Sequence, residues 1–344
     1  MAPQATRDQA PGPGYHARAM HYRRLGNSGV KVSEVALGSW LTFGNTIERN
    51  TTERVVKRAL ELGINFLDTA DVYALGEAER VLQPAIKDVP RKDLFLATKC
   101  YFPTGPGPND RGLSRKHILE SLHQSLRRLG TDYVDLYQCH RYDEDTPLEE
   151  VVRAMDDAIR QGKVLYWGVS HWPAARITQV VELARRLNAH PLISNQPPYS
   201  LLNRDIETEV MGTCREGGLG LVVFSPLGQG VLTGKYRPGQ PPPKGSRALD
   251  DKANRFIGRY LTDDGLAKVE QLRALAQELS LSLAVLALAW CLRRSEVASV
   301  IVGATSAAQI EENARASGVT VPPAALQRID QILGVPPGPP DRTT

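Results

Sequence analysis

Four side chains with acid–base chemistry stand at the ends of three successive apolar runs of this sequence. Asp68 ends the second run and Tyr73 follows in its loop. Lys99 lies at the end of the third run, and His140 ends the fourth. Alone, each of these residues more often forms a cap, an ion pair or a packing contact. The ordered succession of all four favours a shared site.

These four residue types suit the reduction of a carbonyl group. A free phenol has a pKa of about 10, and a neighbouring ammonium such as Lys99 is expected to lower the pKa of Tyr73 towards neutrality. Asp68 would keep the lysine charged and oriented, while His140 can donate a hydrogen bond or pass a proton. Because no side chain supplies a hydride, a nicotinamide cofactor is implied.

Two other chemistries use the same residues. Lys99 could form a Schiff base, as in a barrel aldolase, but this leaves Tyr73 without a role. A metal site built from His140, Cys139 and Cys100 is weakened because neighbours on a strand point to opposite faces. The four cysteines contain no CxxC pair, which fits reduced thiols.

The elements that would position these residues alternate between short apolar runs and helical patterns. Runs buried on both faces and joined by helices predict a parallel sheet. Eight such units favour a closed (β/α)₈ TIM barrel, in which the strand ends carrying the four residues meet at one rim. The rival is an open Rossmann-type sheet, but the first run lacks its G-x-G-x-x-G fingerprint. The runs span 32–40, 65–70, 94–100, 133–140, 164–170, 192–200, 219–227 and 298–305.

Helix signals surround these runs. Thr51 or Thr52 is expected to cap the first helix, and Gly63 to end it. The pattern over 263–294 predicts one long or split helix, and 322–333 predicts a short additional one. The organisation expected is a flexible tail over 1–20, one barrel domain over 21–334 and a second flexible tail over 335–344. Pro- and Gly-rich stretches at 102–112 and 236–251 are interpreted as long surface loops that fold over substrate and cofactor.

Composition excludes several function classes. The chain has 344 residues, is 42% hydrophobic and 23% charged, and carries a net charge of +4 spread along its length. Without a basic stripe, we expect no nucleic-acid partner. The N-terminus lacks an apolar signal region, and no apolar run approaches the ~18 residues of a membrane span. We expect a cytoplasmic protein without membrane insertion, and a homo-oligomer is possible.

The ordered motifs resemble those of aldo-keto reductases, in the branch that holds potassium-channel β-subunits and their bacterial relatives. The resemblance runs from about Tyr22 to Leu333 and implies a (β/α)₈ barrel, an NADPH cofactor and a tetrad of Asp68, Tyr73, Lys99 and His140. Channel β-subunits often have asparagine in place of the histidine, so His140 favours an enzyme. The motifs are "NFLDTADVYALGEAE", "TKC", "YQCHRYDEDTPLEE", "GKVLYWGVS", "NQPPYSLL", "FSPLGQGVLTGKY" and "LALAWCLRRSEVASVIVGATSAAQIEEN".

The resemblance also assigns cofactor-binding positions along the rim. They would hold the nicotinamide and its carboxamide, the pyrophosphate and the adenosine, in that order along the chain. The positions are Gly38, Ser39, Trp40 and Asp68, then the carboxamide pair Ser170 and Gln196, and Phe224 on the nicotinamide face. The clamp is Ser225, Pro226, Leu227, Gln229 and Lys235, and the adenosine end is Gly303, Thr305, Gln309, Glu312 and Asn313.

Cofactor choice depends on one loop. Many reductases of the superfamily have an arginine where this chain has Gln309, and an amide cannot chelate a 2′-phosphate as a guanidinium does. In the channel-type branch a Ser-Arg-Ala loop supplies that arginine, and here the matching residue is Arg247. We therefore expect NADP in preference to NAD.

The substrate pocket is less specified. Trp40, Tyr101, Phe102 and Trp172 lie at or just after strand ends and could line an apolar cleft. The default substrate is an aldehyde or small ketone reduced to an alcohol, with Tyr73 as the proton donor. The alternative hypothesis is a redox-sensing or regulatory subunit of the channel β-subunit type that binds NADPH and turns over slowly.

Overall fold

The barrel predicted from the alternation is confirmed. The computed structural model describes residues 20–44, 48–250 and 254–335. The predicted tails lie outside these residues apart from Met20 and Val335. Eight parallel strands close into a barrel. They are β3 (Val35–Gly38), β4 (Phe66–Asp68), β5 (Phe95–Cys100), β6 (Val134–Cys139), β7 (Val164–Ser170), β8 (Ser194–Gln196), β9 (Gly220–Phe224) and β10 (Val297–Val302).

An N-terminal hairpin that the pattern did not predict precedes the barrel. Strand β1 (Tyr22–Arg24) pairs antiparallel with β2 (Lys31–Ser33). The apolar run expected to be one strand over 32–40 is therefore divided, and that expectation was wrong. The break lies where the Ser33 hydroxyl donates to the carbonyl of Val35 at 2.7 Å.

The hairpin covers the end of the barrel at which the strands begin. Leu25 and Val32 are fully buried in one apolar cluster with Phe66 and Phe95, inside the barrel. Gly26 makes this approach possible, because a Cβ there would lie 2.3 Å from the carbonyl oxygen of Gly218. The hairpin thus forms the floor of the barrel, and the opposite end remains for chemistry.

Helices cover the outside of the barrel in a second apolar layer. Ser114, Thr262 and Ser282 cap three of them by accepting backbone N–H groups. The helices are α1 (Arg49–Glu61), α2 (Glu77–Ile86), α3 (Arg115–Leu129), α4 (Leu148–Arg160), α5 (Ala174–Arg186), α6 (Val210–Gly217), α7 (Asp263–Glu278), α8 (Leu283–Leu292), α9 (Ala307–Ala314) and α10 (Pro323–Leu333).

The predicted caps Thr51 and Thr52 were wrong: α1 begins at Arg49, and the Thr52 hydroxyl donates back to the carbonyl of Glu48. The long segment over 263–294 is split into α7 and α8, one of the two forms expected. The sixth run is much shorter than 192–200, because two prolines follow Gln196 and cannot donate to the ladder.

No single helix of the described ranges is long and apolar enough to cross a membrane. Helices α7 and α8 pass that test together, but the pair is bent by 89°. Every residue of α8 is buried within the protein.

Candidate active site

A buried ion pair joins two neighbouring strands at the rim. The Lys99 ammonium donates to Asp68 Oδ1 at 2.6 Å and to the Thr69 carbonyl at 2.8 Å. Strand alternation directs Lys99 to the interior, since the flanking Cys100 packs in the outer apolar layer. Lys99 has no exposed surface, so its charge is held entirely by these partners.

The environment of Lys99 keeps it charged. Burial alone would lower the pKa of the ammonium, but the Asp68 carboxylate and the Tyr73 hydroxyl outweigh burial and raise it. A Schiff-base nucleophile must be a neutral amine. The aldolase chemistry considered from the sequence is therefore disfavoured by this pairing.

Tyr73 lies directly against the lysine, in a short 3₁₀ turn that follows β4. Its hydroxyl is 3.3 Å from Lys99 Nζ. Burial raises the pKa of Tyr73 by more than Lys99 lowers it, so the net direction is upward. The expectation that the lysine would bring this pKa towards neutrality was wrong, because desolvation penalises the phenolate. Tyr73 is consequently a neutral phenol with a proton to give.

His140 completes the group from the end of β6. Its ring centroid lies 5.7 Å from that of Tyr73, with the rings nearly perpendicular. Burial lowers the pKa of His140 well below its usual range, and the charges of Lys99 and Arg141 lower it further. A neutral imidazole results, which donates from one nitrogen only. The structure thus brings Asp68, Tyr73, Lys99 and His140 together.

Backbone and amide contacts extend this group towards the predicted cofactor residues. Gln196 Nε2 donates to the second oxygen of Asp68 at 2.9 Å, and the Ser170 hydroxyl donates to the Gln196 carbonyl at 2.8 Å. Ser39 N donates to the Asp68 carbonyl, while the buried Ser39 hydroxyl has no partner among the described residues. A side chain at Gly38 would require Ile301 to move, since a Cβ would lie 2.5 Å from Ile301 Cγ2.

Aromatic side chains stand beside this polar group. The ring of Trp40 meets that of Phe224 at 6.4 Å, edge to face. His171, which follows Ser170, lies 5.2 Å from Phe224. Phe224 is therefore held between two rings at the rim, with part of its surface exposed.

The loop after β9 carries a connected set of polar groups. Gln229 Nε2 donates to the Ser225 hydroxyl at 2.6 Å, and Arg247 Nη1 donates to Gln229 Oε1 at 2.6 Å. Burial and the charge of Arg247 lower the pKa of Lys235. Two cations thus lie within electrostatic reach of each other in the loop that begins with Ser225, Pro226 and Leu227, an arrangement that favours an anion near them.

Strain marks the same loop. Ser225 and Gln229 have positive φ angles of 54° and 60°, which non-glycine residues rarely adopt. His171 at the neighbouring strand end also has a positive φ, 59°. Such outliers cluster where a fold builds a binding site, and these lie at the rim that carries the ion pair.

The predicted adenosine residues lie just before α9 and within it. Gln309 Oε1 accepts from the backbone N–H of Thr305 at 2.8 Å, so its amide is committed to the turn. Glu312 pairs with Arg315 at 2.9 Å, and Asn313 is buried. Gly303 lies just before this turn. A Cβ placed on Gly303 would lie 3.7 Å from Thr42 Cγ2, which is ordinary van der Waals contact.

The four aromatic residues considered for the substrate pocket separate into two groups. Phe102 lies 4.9 Å from the His140 ring and 5.2 Å from Tyr101, so these two stand beside the candidate site, and Trp40 lies against Phe224. Trp172 is only 2% exposed and packs on Tyr142. Its predicted role as a wall of an open cleft was wrong, because its ring fills the core.

Two site residues went unnoticed in the sequence, Arg141 and His171. Each directly follows a residue that was singled out, His140 and Ser170 respectively, and this adjacency was the available signal. Both interact electrostatically with the group. Burial and the charge of Arg141 lower the pKa of His171 to about 4, and Arg141 also contributes to the lowered pKa of His140.

Metal binding gains no support from the described ranges. They contain no group of three His, Cys, Asp or Glu side chains that could hold a metal ion. Cys100 and Cys139 both face the apolar layer between barrel and helices, away from His140.

Comparison with known proteins agrees with this geometry. Residues 34–334 match the model of the Aldo/keto reductase family. A "Probable voltage-gated potassium channel subunit beta" of Arabidopsis thaliana is 44% identical over 319 residues, 91% of this chain and 97% of that protein. A protein of the same description from Oryza sativa subsp. japonica is 44% identical over 327 residues, 94% of this chain and 99% of its own length. With a closed barrel, a partly buried tyrosine against a buried lysine–aspartate pair and a family match over most of its length, the chain belongs to the aldo/keto reductase family.

Proposed function

We propose that this protein is an NADPH-dependent oxidoreductase that reduces aldehydes or ketones to alcohols. The observation that carries the proposal is the contact of the Tyr73 hydroxyl, 3.3 Å from a buried and charged Lys99, beside a neutral His140. A protonated phenol next to a neutral imidazole offers two hydrogen-bond donors to one carbonyl oxygen.

The residues present fit a dinucleotide, which members of this family typically bind. The Ser39 hydroxyl, which has no partner within the described ranges, and the Gln196 amide both lie beside Asp68, where the nicotinamide end of the cofactor would bind. Lys235 and Arg247 offer the positive charge that phosphates require at the outer end. The additional positive charge of Arg247 supports a 2′-phosphate, and hence NADPH.

In the proposed reaction the nicotinamide supplies the hydride when it is bound. Tyr73 gives its proton to the carbonyl oxygen as negative charge develops there. Lys99 stabilises the phenolate that remains, and Asp68 holds the ammonium in place through the 2.6 Å bond. His140 donates to the same oxygen and orients the substrate.

Replacement of the tyrosine tests this proposal. We expect Tyr73→Phe to lower kcat for 4-nitrobenzaldehyde and methylglyoxal by about 10²-fold or more, measured as NADPH consumption. Cofactor affinity, measured by tryptophan fluorescence, should be retained. Tyr133→Phe is the matched control, because Tyr133 precedes β6 at the floor end of the barrel. Equal turnover by Tyr73→Phe would remove the tyrosine from the mechanism, and a wild-type protein inactive on every carbonyl would contradict the reductase.

A second candidate follows from the similar proteins described as channel β subunits. In this proposal the chain binds NADPH as a redox-sensing subunit of a membrane channel, and slow turnover is incidental. The two candidates differ in turnover number and in assembly. A channel that co-purifies in defined stoichiometry, with turnover too slow for metabolism, favours the second candidate; rapid turnover by the isolated chain favours the first.

A further inference from the structure

Arg141 places a positive charge at the rim of the candidate site. It follows His140 directly, and its Nη1 donates to the His140 carbonyl at 2.6 Å. Its guanidinium carbon lies 5.2 Å from the Phe102 ring centroid. No carboxylate within the described part of the chain forms an ion pair with it, whereas Arg91, which is also partly buried, pairs with Asp135 at 2.6 Å.

Nearby acidic residues are committed to other partners. Asp143 accepts from the backbone N–H of Leu113 at 2.7 Å and from the Thr146 hydroxyl at 2.8 Å, which anchors two loops to each other. Glu144 pairs with Arg176 at 3.0 Å. The charge of Arg141 is therefore not neutralised by the loop in which it lies.

The field of this guanidinium acts on the site itself. It lowers the pKa values of His140 and His171, and it opposes the rise that burial causes in the pKa of Tyr73. Burial also lowers the pKa of Arg141. A partly desolvated cation without a countercharge is costly, and an anionic ligand beside it would remove that cost.

We propose that Arg141 receives an anionic group of the substrate, so that the site prefers aldehydes carrying a carboxylate at the end remote from the carbonyl. This inference rests on the proposed carbonyl reduction and names its substrate class. With Nη1 committed to His140, the remaining guanidinium N–H groups are available for a planar carboxylate. The Phe102 ring contacts both groups, 4.9 Å from the His140 ring and 5.2 Å from the guanidinium carbon, so the imidazole and the guanidinium are at most about 10 Å apart. A small aromatic or four-carbon aldehyde acid spans such a distance.

A matched pair of substrates tests this preference. 4-Carboxybenzaldehyde and methyl 4-formylbenzoate share ring and aldehyde and differ in the remote charge. We expect wild-type kcat/KM to favour the carboxylate, and Arg141→Met to reduce the carboxylate-to-ester ratio by about tenfold or more. Arg141→Lys should keep part of the ratio, because it keeps the charge. Arg153→Met is the control, since Arg153 is exposed on α4 and pairs with Glu149.

Binding of product analogues separates the two proposals. Calorimetry with 4-(hydroxymethyl)benzoate and its methyl ester, in the presence of NADP⁺, reports anion preference without turnover. If the wild-type protein binds the benzoate more tightly than the ester and Arg141→Met abolishes this preference, the anion site is supported. This holds even if neither aldehyde is reduced, because absence of reduction would contradict only the proposed function. Reduction of both aldehydes with a ratio near one, or a ratio that Arg141→Met leaves unchanged, would overturn the inference.

Discussion

Asp71 is a carboxyl group that the fold keeps away from water, three residues after Asp68. It is 1% exposed. One oxygen accepts from the Ser121 hydroxyl at 2.6 Å, and the other has no partner among the described residues. Burial raises the pKa of Asp71 to about 7, and Glu79 adds to the rise, although Ser121 and Arg128 oppose it. The apolar pattern did not predict this environment, because burial of Asp71 depends on packing against α3, which is distant in the chain.

The raised pKa makes stability depend on pH. An unfolded aspartate has a pKa of about 3.9, so between pH ~4 and ~7 the folded chain holds a proton that the unfolded chain has lost. The stabilisation is full below the unfolded pKa and is lost as pH rises through about 7, with a slope of at most about 1.4 kcal/mol per pH unit. Asp71→Asn, which stays neutral, should gain melting temperature relative to wild type from pH 5 to pH 8.

Thermal unfolding in that pH range is the measurement. Asp132→Asn is the control, because Asp132 is exposed on a loop. The difference in melting temperature between Asp132→Asn and wild type should not increase from pH 5 to pH 8. A difference between Asp71→Asn and wild type that is constant with pH would show that the buried carboxyl does not titrate in this window.

At the scale of elements, the loop between β9 and α7 is expected to set cofactor choice. Arg247 is linked through Gln229 to Ser225, so its guanidinium is positioned by the strand end. We expect Arg247→Met to weaken NADPH binding by about tenfold or more, the loss of a charged hydrogen bond, and to leave NADH binding nearly unchanged. Lys244→Met, an exposed change in the same loop, is the control. Fluorescence titration of both cofactors measures this, and equal weakening of both would assign Arg247 to the shared pyrophosphate.

The elements also show how far sequence reasoning reaches. Apolar alternation predicted eight strands because nearly all residues of the barrel strands are buried, and the order of the strands alone placed Asp68, Lys99 and His140 on one rim. The hairpin was missed because its second strand is continuous in pattern with β3. The direction of the Tyr73 pKa was missed as well, since burial of a side chain depends on packing from distant parts of the chain.

For the whole molecule, the barrel separates a stabilising end from a chemical end. Leu25 lies on the hairpin floor, fully buried with Phe66 and Phe95, whereas the polar group lies at the opposite ends of the strands. Leu25→Ala should therefore cost about 2–5 kcal/mol of unfolding free energy without altering the NADPH dissociation constant. Leu165→Ala is the control, because Leu165 is 44% exposed and its truncation should change the unfolding free energy little.

Urea unfolding midpoints and NADPH titrations of the same preparations would test this separation. Effects at sites without shared contacts are expected to be independent. A tenfold change in NADPH affinity on Leu25→Ala would mean that the floor and the rim are coupled, for example along β4, where Phe66 and Asp68 are successive inward-facing residues. The hairpin would then be part of the binding machinery as well as a cover for the core.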